Sequence, residues 1–550
     1  MEDMDARRLF AQRLREGMAA RNLKQADLIA AAGELGGKLG KSQVSQYVSG
    51  KTLPRPAVLE LLSRILGVPE AWLVGEGAQT PPAASARQAA ESRSEASAAA
   101  SAFVQSEASA SASGRNPAAP PTSQRVATPQ APALQDQDIT SQRRAPMRQF
   151  TKSTKLENVL YDVRGPVVDE AARMEAEGER ILKLNIGNPA PFGFRTPDEV
   201  VKDMRQQLTE CEGYSESRGL FSARKAIMQY AQIKGLPNVD MDTIYTGNGV
   251  SELIQLCMHA LLDTGDEILI PSPDYPLWTA CATLAGGTPV HYLCDEQAEW
   301  NPDIADIRAK VTPRTKAIVI INPNNPTGAL YPREVLEEIV EVAREHQLMI
   351  FSDEIYDRLV MDGLEHVSIA SLAPDLPCVT FSGLSKSHMI AGYRIGWMIF
   401  SGNKRCMRDF ILGVNMLSNM RLCSNVPAQS IVQTAMWGHQ SVKSYVVPGG
   451  RVCEQRDYVY EALNAIPGIS AMKPKAAFYI FPKIDVERFN ITDDEQFALD
   501  LLHDKKILIT RGGGFNWDKP DHFRVVYLPR MGVLRECMED LADFFSYYRQ

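Results

Sequence analysis

No run of about 18 consecutive apolar residues occurs anywhere in this 550-residue chain, so the sequence offers no membrane-spanning helix. The N-terminus also lacks the apolar core of a secretory signal. Nine cysteines are scattered without a CxxC pair, and no His/Cys cluster has metal-ligand spacing. That argues against a disulfide framework and against a bound metal, and the thiols are expected to be reduced. Basic residues are in the minority, 59 Lys and Arg against 67 Asp and Glu, for a net charge of −8. This balance excludes a protein that coats nucleic acid with its whole surface, yet it leaves room for one small basic module. Together these absences predict a cytoplasmic protein without membrane contact.

What is present falls into three parts, as the length favours. Residues 1–76 carry apolar residues at helical spacing. Residues 77–147 are dominated by Ala, Ser, Pro and Gln, as in SARQAAESRSEASAAASAF, with almost nothing to build a core. They read as a disordered linker. Residues 148–550 have an ordinary globular composition, in which DEILIPSP, KAIVIINP, QLMIFSDE, PCVTFSG and GWMIF alternate with amphipathic stretches. That alternation predicts an α/β domain of mostly parallel strands joined by crossover helices. Open sheets of this kind bind ligands at the carboxyl ends of their strands, and the chemically suggestive motifs follow those strands.

The segment FSGLSKSHMIAGYRIGW places one lysine, Lys386, just after a strand-like run, with Arg394 eight residues on. A lysine amine can condense with a carbonyl cofactor, and an arginine suits a phosphate. TGNGVSELIQLCMHALL puts Gly249, Val250 and Ser251 at a helix start, which favours an anion but also describes an ordinary helix. PSPDYPLW offers Tyr275, NPNNPTG offers the Asn325 amide, and SDEIYDRL offers Asp353 and Tyr356. Each alone also reads as a plain loop. In HFRVVYLPR an arginine, Arg524, sits among apolar strand neighbours and needs an anionic partner, either a substrate carboxylate or a structural carboxylate.

The order of these motifs resembles the class I/II aminotransferases of fold type I, which depend on pyridoxal 5′-phosphate, over roughly 400 residues. Within that family SDEIYDRLVMDG, SGLSKSHMIAGYRIGW and FRVVYLP are most similar to the glutamate–pyruvate (alanine) branch. Met389 departs from the smaller residue of many relatives. The resemblance implies a large domain of about 195–445, a small domain from the flanking segments, and a homodimer. It implies that Lys386 binds the cofactor covalently and moves a proton, that Asp353 pairs with the ring nitrogen, and that Tyr356 and Asn325 hydrogen-bond the ring oxygen. Tyr275 would stack on the ring. Arg394, Ser385, Gly249, Val250 and Ser251 would hold the phosphate, with Tyr214 in EGYSESRG reaching the neighbouring subunit's phosphate. Arg524, Asn325 and Gly187 in LNIGNPAP would hold the substrate carboxylate. The implied reaction is ping-pong exchange between L-alanine and 2-oxoglutarate.

The first 76 residues resemble a Cro/lambda-repressor-type helix-turn-helix domain of about five helices, through LKQADLIAAAG and SQVSQYVSGKTLP, with ELGGKLG lengthening the usual turn. From Gly36 to Leu59 there are four basic residues (Lys38, Lys41, Lys51, Arg55) and no acidic one. The resemblance implies double-stranded DNA as partner, with phosphate contacts from the basic residues and base contacts from Ser42, Gln43, Ser45 and Gln46. Three readings stay open at this point: an aminotransferase with an attached DNA-binding domain, a transcriptional regulator that uses the same fold to sense cofactor or amino acid, and a β-lyase.

Overall fold

The five apolar runs become neighbouring strands of one sheet. In the computed structural model, which describes residues 2–21, 23–35, 39–74, 148–157, 159, 161 and 165–550, the chain divides into two units, Met1–Arg143 and Arg144–Gln550. In the second unit an eight-stranded sheet is built from β1 (Ile244–Gly247), β2 (Glu267–Ser272), β3 (Thr288–Asp295), β4 (Asn301–Pro302), β5 (Thr315–Ile321), β6 (Met349–Asp353), β7 (Pro377–Gly383) and β8 (Gly396–Gly402). Their spatial order is β1-β8-β7-β6-β5-β2-β3-β4. The central pairs are parallel, while β8 runs antiparallel to both β7 and β1. GWMIF therefore departs from the crossover pattern. The connection from β7 to β8 holds only single helical turns, Leu384–Ser387 and Ala391–Tyr393, and the chain returns along its own neighbour.

Both faces of the sheet are covered, which explains why its strands read as continuous apolar runs. Ile318, Ile320 and Ile350 pack on one side with Ile227, Leu336 and Ile339 from helices. Val319, Ile321 and Phe351 pack on the other with Leu253, Cys257 and Val414. A separate core gathers Val167, Leu184, Val459, Phe478, Phe497, Val525 and Phe544 from segments on either side of the sheet region. It contains a three-stranded sheet, β9 (Tyr479–Ile480), β10 (Thr510–Arg511) and β11 (Phe523–Val526), in the order β9-β11-β10. Met389 is buried in this second core, a packing position with no polar partner.

In the first unit five helices follow one another: α1 (Glu2–Ala20), α2 (Gln25–Glu34), α3 (Lys41–Val48), α4 (Pro56–Leu66) and α5 (Glu70–Leu73). Phe10, Leu14, Leu28, Val44, Tyr47, Leu62 and Trp72 form its core. Helical periodicity buries Val44 and Tyr47 of α3 and leaves Gln43, Ser45 and Gln46 exposed. Lys38, the side chains of Lys41 and Ser42, and the expected linker 77–147 lie outside the described residues. Among the described residues no helix is long and apolar enough to cross a membrane.

Candidate active site

The motifs that follow strands meet at the carboxyl ends of β5, β6 and β7, facing β9 and β11 of the smaller sheet. Lys386 lies in the single helical turn directly after β7. Its Nζ donates to the Gly187 carbonyl at 2.6 Å and stands 5.8 Å from the centre of the Phe478 ring. Among the described residues no carboxylate pairs with it. Removal from water, reinforced by the positive charges of Arg524 and Arg394, lowers the amine from its ordinary value to about 8.

Asp353 ends β6 and is buried, with 4% exposure. Trp278 Nε1 donates to its Oδ2 at 3.3 Å and the Ile355 backbone N–H to its Oδ1 at 3.3 Å. Burial pushes its carboxyl up to about 6, and a cationic partner would hold it ionised. Three residues on, the Tyr356 hydroxyl meets the Tyr479 hydroxyl at 2.7 Å. Tyr275 is partly buried, and its hydroxyl meets that of Tyr161 at 2.9 Å.

Arg524 on β11 is 2% exposed. Its Nη1 donates to Asn325 Oδ1 at 2.8 Å and its Nη2 donates to the Asn185 carbonyl. The guanidinium lies over the rings of Tyr479 and Phe515, at 4.5 and 4.6 Å. Its Nε has no partner, and no carboxylate neutralises it among the described residues. The structural salt bridge left open by the sequence is therefore not made. A buried cation with an unused donor is suited to a small anionic ligand.

An anion cradle lies at the start of the helix Val250–Leu261. Gly249 has φ +81°, and a Cβ there would come within 2.3 Å of Arg394 Nη2. Arg394 itself has φ 59° and donates to the carbonyls of Ala391 (2.8 Å) and Asn248 (3.2 Å), which sets its guanidinium at the helix start. Val250 and Ser251 occupy the first turn, where backbone N–H groups lack partners within the helix. Ser385 is buried next to Lys386. Tyr214 is 83% exposed and joins none of these hydrogen bonds.

Sequence reading had missed Trp278, Asn185, Tyr161 and Tyr479. Trp278 lies three residues after Tyr275 in the same motif, which was its one available signal.

A lysine after one strand, a buried carboxylate at the end of its neighbour, a helix-start anion cradle and a buried arginine on the smaller sheet define an aminotransferase-type cofactor enzyme. Residues 179–539 match the family model "Aminotransferase class I and II", and the chain belongs to that family. It is 57% identical over 404 residues to the glutamate-pyruvate aminotransferase AlaA of Haemophilus influenzae, covering 74% of this chain and 100% of that protein. It is 56% identical, again over 404 residues, to an alanine aminotransferase of Mycobacterium tuberculosis, covering 73% of this chain and 94% of that protein. The crystal structure of an Escherichia coli aminotransferase is similar, with a TM-score of 0.73 and 56% identity, covering 73% of this chain and 100% of that one. Residues 13–73 match a helix-turn-helix family.

Membership implies dependence on pyridoxal phosphate, and the site fits that group. The Gly249 cradle leaves no space for a side chain beside Arg394, Arg524 keeps an unused donor, and the Lys386 amine feels the charge of both arginines.

The lowered Lys386 value has a consequence for stability. Unfolded, the amine titrates near 10.5, and in the folded protein near 8. Below about pH 8 both states are charged and the folded state carries the whole penalty; the penalty fades as pH rises from 8 towards 10.5. In protein stripped of cofactor, Lys386→Met should therefore raise stability at pH 7 by on the order of 2 kcal/mol. Denaturant unfolding at several pH values checks this, and the gain should shrink on the alkaline side.

Proposed function

We propose that this protein is an alanine aminotransferase that exchanges amino groups between L-alanine and 2-oxoglutarate, and that its N-terminal domain binds double-stranded DNA. The observation that carries the enzymatic reading is the Lys386 amine, lowered to about 8 and placed among the buried Asp353, Tyr356, Asn325 and Arg524. Identity of 56–57% to proteins named glutamate-pyruvate and alanine aminotransferases supports the choice of substrates.

Bound pyridoxal phosphate supplies an aldehyde that takes up an amino group and a ring that withdraws electrons. The rest falls to this chain's residues. Lys386 would hold the cofactor and, once released by an incoming amine, would carry a proton away from the substrate α-carbon. Arg524 would bind the α-carboxylate with Asn325 and the backbone at Gly187, and so fix which α-carbon bond is aligned to break. Asp353 would pair with the ring nitrogen and keep it protonated. Tyr356 and Asn325 would donate to the ring oxygen, and Tyr275 would cover the ring. Arg394, Ser385 and the N–H groups at Val250 and Ser251 would bind the phosphate. Burial around Arg524 excludes water that would compete for its carboxylate.

We place a homodimer under the same heading. Leu412, Met416 and Met420 form an exposed apolar stripe at every fourth residue of one helix, and this supports a partner there. The exposed Tyr214 suits a residue offered to a neighbouring site. On the DNA-binding unit, Gln43, Ser45 and Gln46 are exposed on α3 above a buried Val44 and Tyr47, and Lys51 and Arg55 follow on the surface. A dimer would carry two such units.

Three measurements check these statements. Lys386→Ala should abolish conversion of L-alanine and 2-oxoglutarate to pyruvate and glutamate, whereas Arg524→Ala should weaken binding of all four acids together, at a cost of roughly 2–4 kcal/mol in kcat/KM. Wild-type turnover by Lys386→Ala would overturn the assigned role. Sedimentation should give twice the 60.8 kDa chain mass. In DNA binding, Gln46→Ala should cost about 1–3 kcal/mol on a selected site only, and Lys51→Ala should weaken all sequences and flatten the salt dependence by about one unit. A protein that retains no DNA at low salt would contradict this part alone.

A further inference from the structure

Tyr479 holds none of the roles above, yet it touches three of the residues that do, Arg524, Tyr356 and Gly187. It stands on β9 opposite Val526 of β11, the strand that carries Arg524. Its ring lies 4.5 Å from the Arg524 guanidinium carbon. It crosses the Tyr356 ring edge to face at 85°, and the two hydroxyls are 2.7 Å apart. The hydroxyl also packs so closely on Gly187 that a Cβ there would stand 2.0 Å from it. Neither hydroxyl has a further hydrogen-bond partner among the described residues. Burial pushes both phenols above their ordinary value, so each keeps its proton at neutral pH.

Counting protons sets the direction of the bond. Each phenol has one proton to donate and an oxygen that can accept. When Tyr356 directs its proton to the ring oxygen of the cofactor, the 2.7 Å contact can be made only with the proton of Tyr479. A hydroxyl that accepts a hydrogen bond becomes a stronger donor through its own proton. Resting on the cofactor reading above, we infer that Tyr479 is a positioning residue, whose hydroxyl donates to Tyr356, aims the Tyr356 proton at the cofactor and so lowers the proton affinity of the Lys386–cofactor linkage.

The contact also links the segment that follows β6 of the large sheet to β9 of the small one, with both rings buried in the same core. Charged and titratable groups around the pair are Arg524 on β11, Tyr275 and Tyr161 on the ring-facing side, Asp353 on β6, and Lys386, whose amine shares Gly187 with Tyr479. All of these remain in place in Tyr479→Phe, which also keeps the ring over Arg524. That substitution therefore isolates the hydroxyl.

The test is a pH titration of the visible absorbance of the Lys386-linked cofactor in wild type, Tyr479→Phe, Tyr356→Phe and the double variant. Tyr479→Phe should raise the midpoint by about half a pH unit or more. Tyr356→Phe should raise it further, and the double variant should match Tyr356→Phe alone, because Tyr479 acts through Tyr356. An unmoved midpoint in Tyr479→Phe, or a double variant equal to the sum of the singles, would overturn the inference while leaving the cofactor reading intact. A wild-type protein with no titrating chromophore would overturn both.

Discussion

A lysine amine held inside the protein without a carboxylate is the constraint on which the rest of the site depends. Among the described residues, Lys386 has one hydrogen-bond partner, the Gly187 carbonyl, and two cations, Arg524 and Arg394, in its electrostatic neighbourhood. In a structure selected only for stability such an amine would be paired or replaced, because desolvation and like charge both oppose it. Here burial and the two cations lower the proton affinity of the amine, which eases its passage to the neutral state in which it is a nucleophile. The surrounding groups are buried in a complementary way. Among the described residues, Asp353 is a carboxylate without a cation and Arg524 a cation without a carboxylate. Each lacks the partner that the cofactor ring or the substrate would bring.

The two cores divide this work. The large sheet presents Lys386, Asp353, Tyr356 and Asn325 from the ends of adjacent parallel strands, while the helix start at Val250 forms the anion cradle. The small sheet presents Arg524 and Tyr479. Bonds cross between them, from Arg524 to Asn325 and between the Tyr356 and Tyr479 hydroxyls. Placement of the carboxylate clamp relative to the cofactor thus rests on contacts between the small sheet and the loops after the large-sheet strands. A shift of either sheet would alter clamp and ring contacts together. This coupling accounts for the density of hydroxyl and amide groups at the boundary.

What could be read in advance follows from local chain chemistry. The large-sheet strands were legible because both faces are covered, so their residues form continuous apolar runs bounded by Asn, Pro and Gly. Lys386, Asp353, Asn325 and Tyr356 were legible because they sit within a few residues of those strand ends. Arg524 was legible as a charge in an apolar strand, and only the structure shows that no carboxylate pairs with it among the described residues. The antiparallel course of β8 was less accessible, since its residues are as apolar as those of a parallel strand. Tyr479 and Tyr161 were not legible at all, because their contacts join segments more than 100 residues apart and their own surroundings carry no motif; Asn185 lies two residues before Gly187 in LNIGNPAP, but its carbonyl meets a residue 339 positions away. In the first unit the exposed face of α3 follows from helical periodicity, whereas the identity of any DNA site is set by contacts absent from a single chain.

The most direct measurement is borohydride reduction of the purified full-length protein, followed by peptide mass mapping. The expected result is a pyridoxyl adduct on the peptide that contains Lys386, and on no other lysine. Absence of the adduct, or its appearance at a different lysine, would contradict the assignment of this amine as the point where the cofactor is held.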